Sequence, residues 1–281
     1  MPEEEKVVTK KFGGMPLRET LILSFSLICI LAAGAYFTGI YDRLQEDALV
    51  DRKYEQWRQT LSPERQEWEN TLENSIGSYY WPLYKRDRLA GKETCWDYAD
   101  SKPGLPTVFV IGDSISLGYT PVVRKNLKGK VNVERVPENC GKLSHALASV
   151  DKWLGSNHYK LIYFNFGIHD RRTPLATYQK ELKELVPKLK QHADIVVFAS
   201  STPLPQDPSK EMDNLDILEK NQAAKEVMSE NQIHVDDLYA FVEPNKHELM
   251  EANDCHFRST GYVALGNHAT ETIKSLLKIE N

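Results

Sequence analysis

Ser114 is the residue whose setting best suits covalent acyl chemistry. It follows Val108-Phe109-Val110-Ile111, a short apolar run that reads as a buried strand. Gly112 ends that run, and a helix starts by Ser116. A serine on such a strand-to-helix turn sits beside free backbone N–H groups and a helix N-terminus, which suits a nucleophile whose product is an oxyanion. A serine hydroxyl is weak at neutral pH and needs a base within hydrogen-bond reach. His256, two residues after an acid and just before a C-terminal helical pattern, is the candidate. The competing role for Ser114 is a plain helix N-cap. His145, His158, His192, His234, His247 and His268 stand in no motif and read as surface or helix-face residues.

Gly112-Asp113-Ser114-Ile115-Ser116 resembles the first block of the SGNH (GDSL-type) hydrolases, and partners for the other blocks follow in order. Asn139-Cys140-Gly141 resembles the second, whose glycine donates a backbone N–H to the oxyanion. Phe164-Asn165-Phe166-Gly167-Ile168-His169-Asp170 resembles the third, usually Gly-x-Asn-Asp. Asn253-Asp254-Cys255-His256-Phe257 resembles the last, where an acid and the general-base histidine share a loop. The resemblance runs from about Pro103 to the C-terminus. It implies a catalytic set of Ser114, His256 and Asp254, with an oxyanion hole from the N–H groups of Ser114 and Gly141 and the side chain of His169.

Two positions depart from the family pattern. The acid usually lies three residues before the histidine, where this chain has Asn253; Asp254 lies two before. Only a carboxylate both fixes the imidazole tautomer and stabilises the imidazolium by charge, so Asp254 is the expected acid. A Ser114–His256 dyad, oriented by Asn253 or a backbone carbonyl, is the alternative. In the third block His169 replaces asparagine. Imidazole still donates one N–H, so the donor role survives in a larger, titratable side chain. Asp113 and Asp170 read as turn-ordering acceptors. A metal set of His169, Asp170, Asp254 and His256 lacks helical His-x-x-x-His spacing and leaves Ser114 without a role, so no metal and no cofactor are expected.

These residues need elements that bring them to one rim. Candidate strands are 108–111, 131–136, 161–166, 195–199 and 233–235; candidate helices are 116–128, 143–154, 177–192, 215–229 and 261–277. Short apolar strands alternating with amphipathic helices imply an α/β fold with a doubly wound, parallel five-stranded sheet, flavodoxin-like in the SGNH manner. Ligands of such sheets bind at the carboxyl ends of strands, where Gly112–Ser114, Asn139–Gly141 and Gly167–Asp170 all fall.

Upstream, residues 41–102 read as a helical stalk or collar. Val50, Tyr54, Trp57 and Leu61 share a helix face, and Ser62-Pro63-Glu64 is a helix start. Tyr79, Tyr80, Trp81 and Tyr84 form an aromatic cluster that suits either burial or stacking on sugar rings. Residues 21–40 carry no charge over twenty positions, enough for a transmembrane helix. Lys6, Lys10, Lys11 and Arg18 before it favour a cytoplasmic tail (1–20), a signal-anchor (21–40) and an exported domain (103–281), periplasmic or extracellular. Cleavage at Ala33-Gly34-Ala35 would make the domain secreted instead.

The 281 residues carry a net charge of −5 and no basic stripe, which excludes nucleic acid as a partner. Cys29 lies in the apolar run. An exported domain has one disulfide available among Cys95, Cys140 and Cys255, with buried thiols as the simpler state. The expected function is an exported, membrane-anchored serine esterase acting on acylated small molecules or glycans. O-acetyl esters of carbohydrate are the substrate the resemblance suggests. An envelope polysaccharide O-acetyltransferase and a glycan-binding pseudo-hydrolase are the alternatives.

Overall fold

The computed structural model describes residues 11–12, 15–205 and 214–280, apart from the side chains of 11–20, 23, 26–35 and 37. The chain forms two compact units, 1–60 and 61–281. In the first, two-residue strands β1 (Lys11–Phe12) and β2 (Met15–Pro16) pair antiparallel ahead of helix α1 (Leu17–Arg58).

The expected membrane anchor and exported localisation are corrected here. Among the described residues no helix is long and apolar enough to cross a membrane. The apolar stretch is not an element of its own: it runs without a break into the charged stretch beginning at Asp42, inside one 42-residue helix. At 1.5 Å per residue that helix is about 63 Å long, roughly twice a bilayer's hydrocarbon thickness. The first ten residues of the expected cytoplasmic tail lie outside the described residues, as do the side chains of Cys29 and Ala33-Gly34-Ala35.

The second unit opens with helices α2 (Pro63–Ser75) and α3 (Gly77–Leu89). Tyr84 is buried and donates to the buried Glu69 carboxylate at 2.7 Å, while Tyr79 is 72% exposed, so the aromatic cluster divides between core and surface.

Five parallel strands follow: β3 (Thr107–Ile111), β4 (Asn132–Arg135), β5 (Tyr159–Phe164), β6 (Ala193–Ala199) and β7 (His234–Asp236). Their spatial order is β4-β3-β5-β6-β7, the 2-1-3-4-5 order of flavodoxin-like sheets. In β3, and over most of β5 and β6, alternate residues enter opposite cores, which is why 108–111, 161–164 and 195–199 read as apolar runs. Phe109, Ile111, Ile162 and Phe164 pack against α5 (Leu143–Leu154), α6 (Leu175–Gln191) and much of α7 (Asn214–Glu230). Val108, Val110, Leu161 and Tyr163 pack against α4 (Ser114–Leu127) and α10 (Ser259–Leu277). Between β7 and α10 lie short helices α8 (Leu238–Val242) and α9 (Lys246–Leu249), which carry too little periodicity to read from sequence.

Two contacts tie α10 to the layer that carries the site. Gly118 on α4 lies under the Tyr262 ring, where an added Cβ would fall 2.0 Å from a ring carbon, so only glycine permits this approach. On the other side, Asp236, buried at the end of β7, accepts from Tyr163 Oη at 2.6 Å and pairs with His268 Nε2 at 2.7 Å. The hydrogen bond to Asp236 raises the His268 pKa, more than partial burial lowers it. A raised folded-state value means the protonated form stabilises the fold. The contribution is complete below the unfolded value of about 6.5 and is lost as pH rises through the folded value. His268→Gln should therefore cost stability below about pH 6.5 and progressively less above it. Equal changes in melting temperature across pH 5.5–9 would show that the pair contributes no pH-dependent stability.

Candidate active site

The site begins where β3 stops. Asp113 is the N-cap of α4, its buried carboxylate accepting from the Ile115 N–H at 3.0 Å. Capping therefore falls to Asp113, and the half-buried Ser114 is left at the first helical position with its hydroxyl uncommitted to the helix. Burial pushes the Asp113 carboxyl above its ordinary range, opposed by the charge of His169, the Ile115 N–H, and the charges of His256 and Arg135.

The loop before α10 delivers the base. Met250 and Phe257 form an antiparallel bridge, and Glu251 N–H donates to the His256 carbonyl at 2.9 Å, closing a tight excursion. Asn253 at its tip takes the left-handed conformation (φ 56°), one asparagine tolerates better than most residues. The next residue, Asp254, then turns back on the chain. Its Oδ1 accepts from both the His256 backbone N–H (3.1 Å) and ring Nδ1 (2.7 Å). The two-residue spacing works because one carboxylate oxygen serves main chain and ring together. Partial burial pushes the Asp254 carboxyl up, but the hydrogen bonds from the ring and backbone of His256, and its charge, hold it below its ordinary range. With Nδ1–H given to Asp254, His256 Nε2 is the acceptor facing Ser114 Oγ at 2.9 Å. Ser114, His256 and Asp254 thus form one continuous hydrogen-bonded relay.

The loop after β4 carries Gly141 in the left-handed conformation (φ 58°). Cys140 N–H donates to the Gly112 carbonyl at 3.3 Å, tying this loop to the nucleophile turn. The Gly141 N–H has only a long contact, 3.4 Å, to Asn139 Oδ1, while Asn139 Nδ2 reaches Tyr80 Oη at 3.3 Å. His169, in the loop after β5, is half-buried and makes no hydrogen bond among the described residues, and its charge is felt at Asp113. Asp170 accepts from the Leu143 N–H and Thr173 hydroxyl, both at 3.0 Å, so it anchors α5. The metal-type donors that lie together, within 4.8 Å, are Asp254, Cys255 and His256 rather than a set including His169 and Asp170. Cys95, Cys140 and Cys255 are free thiols, and burial pushes the first up to about 11 and the other two up to about 12.

Arg135, at the end of β4, joins these parts and stands in no motif. It is 2% exposed. Nη1 donates to the carbonyls of Val136 and Glu138, both at 3.1 Å, and Nη2 to the Gly112 carbonyl (3.1 Å) and Ser116 Oγ (2.7 Å). The Ser116 hydroxyl in turn donates to the Asp113 carbonyl at 2.7 Å. One guanidinium therefore clamps the nucleophile turn to the loop that carries Gly141. Trp96 lies over it at 5.0 Å, so the segment after α3 seals this clamp. The only hint in the sequence is an arginine between Glu134 and Val136 at the end of the candidate strand 131–136. Arg135→Met strands several buried acceptors and should cost on the order of 2–4 kcal/mol in urea unfolding, with Arg135→Lys recovering part. A cost under about 0.5 kcal/mol would make the clamp structurally idle.

The five-stranded parallel sheet and its helices match the fold of solved SGNH hydrolases. Compared by sequence, the chain matches no family model and no curated protein. Compared by structure, it is similar to a lipase/acylhydrolase from Enterococcus faecalis (20% identity, TM-score 0.55, covering 61% of this chain and 97% of that one). It is also similar to an acetylxylan esterase from Geobacillus stearothermophilus (15%, 0.53, 60% and 94%). A member of the lipolytic G-D-S-L family from Veillonella parvula matches likewise (19%, 0.51, 60% and 98%). These chains are matched almost whole, while about two-fifths of this one lies outside the match.

Proposed function

We propose that this protein is a serine ester hydrolase that removes short acyl groups, acetyl foremost, from carbohydrate hydroxyls through an acyl-serine intermediate. The observation that carries this reading is the relay from Ser114 Oγ through His256 to Asp254 at hydrogen-bonding distances of 2.9 and 2.7 Å. Ser114 Oγ attacks the acyl carbonyl as its proton passes to His256 Nε2, and Asp254 stabilises the imidazolium. The tetrahedral oxyanion accepts hydrogen bonds from the N–H groups of Ser114 and Gly141, with His169 as a side-chain donor. His256 then protonates the leaving sugar oxygen. Water enters, gives a proton to Nε2 and attacks the acyl-serine, releasing the acid and restoring Ser114.

Support for acetyl groups on sugar comes from likeness to the acetylxylan esterase, whose fold this chain shares. Steady-state assay of the full chain on p-nitrophenyl acetate and octanoate, and of acetate release from acetylated xylan, tests the reading. Acetate esters should turn over at least about tenfold faster in kcat/KM than octanoate, and acetate release should not depend on an added acceptor glycan. Equal or better octanoate hydrolysis would overturn the acetyl preference, and release only with an acceptor would mean acyl transfer.

A further inference from the structure

A cleft of about 560 Å³ lies within the second unit, and none of Ser114, Gly141, His169, Asp254 or His256 lines it. It falls in the size range of small-molecule sites. Its walls come from α2 (Trp68), the segment after α3 (Tyr98), the edge strand β4 (Glu134) and α5 (Lys152, Trp153). Trp68 and Tyr98 meet edge to face at 6.2 Å, with Tyr98 39% exposed, and Trp153 is held by donating to Glu138.

The polar groups beside these rings have capacity to spare. Glu134 spends one carboxylate oxygen on the Ser101 hydroxyl. Tyr98 Oη and Lys152 Nζ make no hydrogen bond among the described residues. Three acidic and four basic side chains line the cleft, so no single-sign field favours an anion or a cation. Arg65 lies over the Tyr98 ring at 5.6 Å, and the remaining aromatic surface, beside a free carboxylate oxygen, an ammonium and a phenol, matches one ligand chemistry well. A pyranose presents flat C–H faces to stack and a belt of hydroxyls that both donate and accept.

We infer that this cleft is a second binding site, for a neutral carbohydrate chain, lined by none of the three relay residues. Its ligand class rests in part on the sugar-ester reading above. Glu138, which lines the cleft, directly precedes Asn139-Cys140-Gly141, so an occupant lies against the loop that delivers the oxyanion-hole glycine. The site would hold a polymeric substrate while Ser114 works on an acetyl group elsewhere along it.

The full chain carrying Ser114→Ala, titrated with unacetylated xylohexaose and followed by tryptophan emission and calorimetry, tests this directly. Saturable binding is expected, weakened at least about tenfold by Tyr98→Ala and by Glu134→Gln, with Tyr98→Phe intermediate. In the Ser114-intact protein, Tyr98→Ala should leave p-nitrophenyl acetate turnover unchanged and raise KM for acetylated xylan several-fold. That unchanged turnover also shows that the variant folds. No saturable binding, or binding indifferent to both substitutions, overturns the inference. Xylohexaose binding without any ester hydrolysis would instead overturn the esterase reading and leave the cleft's assignment standing.

Discussion

Replacing Ser114 or His256 with alanine is expected to lower acyl-ester turnover at least about a thousandfold each, while the fold persists. The physical reason is the shared proton: without His256 the Ser114 hydroxyl has no acceptor at 2.9 Å, and without Ser114 the imidazole has nothing to activate. A thousandfold is about 4 kcal/mol of transition-state stabilisation, so two independent losses would multiply to about a millionfold. The double variant should instead be little worse than either single one. Far-ultraviolet circular dichroism and single-turnover kinetics on p-nitrophenyl acetate separate the cases. Multiplying losses would mean that the two residues do not act as one unit.

Asp254→Asn is expected to cost between about a hundred and ten thousandfold in kcat. The substitution keeps size and reach but removes the charge that stabilises the imidazolium. It can also present an amide N–H to Nδ1, favouring the wrong tautomer. Asp254 holds the His256 backbone and ring with a single oxygen, so part of the loss will reflect a loop no longer pinned. Asn253→Ala should cost little by comparison. Asn253→Asp restores the commoner spacing but should not rescue Asp254→Asn, because residue 253 sits at the left-handed tip and the acid that turns back on the ring is the next one. Near-wild-type turnover in Asp254→Asn would leave a Ser114–His256 dyad.

Much of the second unit was legible in the amino-acid sequence, because its three central strands are buried on both faces. Val108–Ile111 reads as a strand since Val108 and Val110 enter one core and Phe109 and Ile111 the other. The relay was legible for a different reason: its members lie in short blocks whose order along the chain survives. Arg135 was hidden, since three of its four acceptors are main-chain carbonyls and these leave no trace in residue identity. Tyr80 was seen only as one of an aromatic cluster, and its contact with Asn139 spans 59 positions, beyond any local periodicity. The apolar run at 21–40 misled, because composition over twenty residues says nothing of where a helix stops. The structure continues it to Arg58, where charge dominates.

The central claim is that Ser114 is a nucleophile activated by His256, and covalent labelling by a fluorophosphonate reads this most directly. Intact-mass and peptide mapping should show one adduct per chain on Ser114, none in Ser114→Ala, and labelling slowed at least about a hundredfold in His256→Ala. No adduct on Ser114 in the folded wild-type chain, or labelling at the same rate without His256, would contradict it.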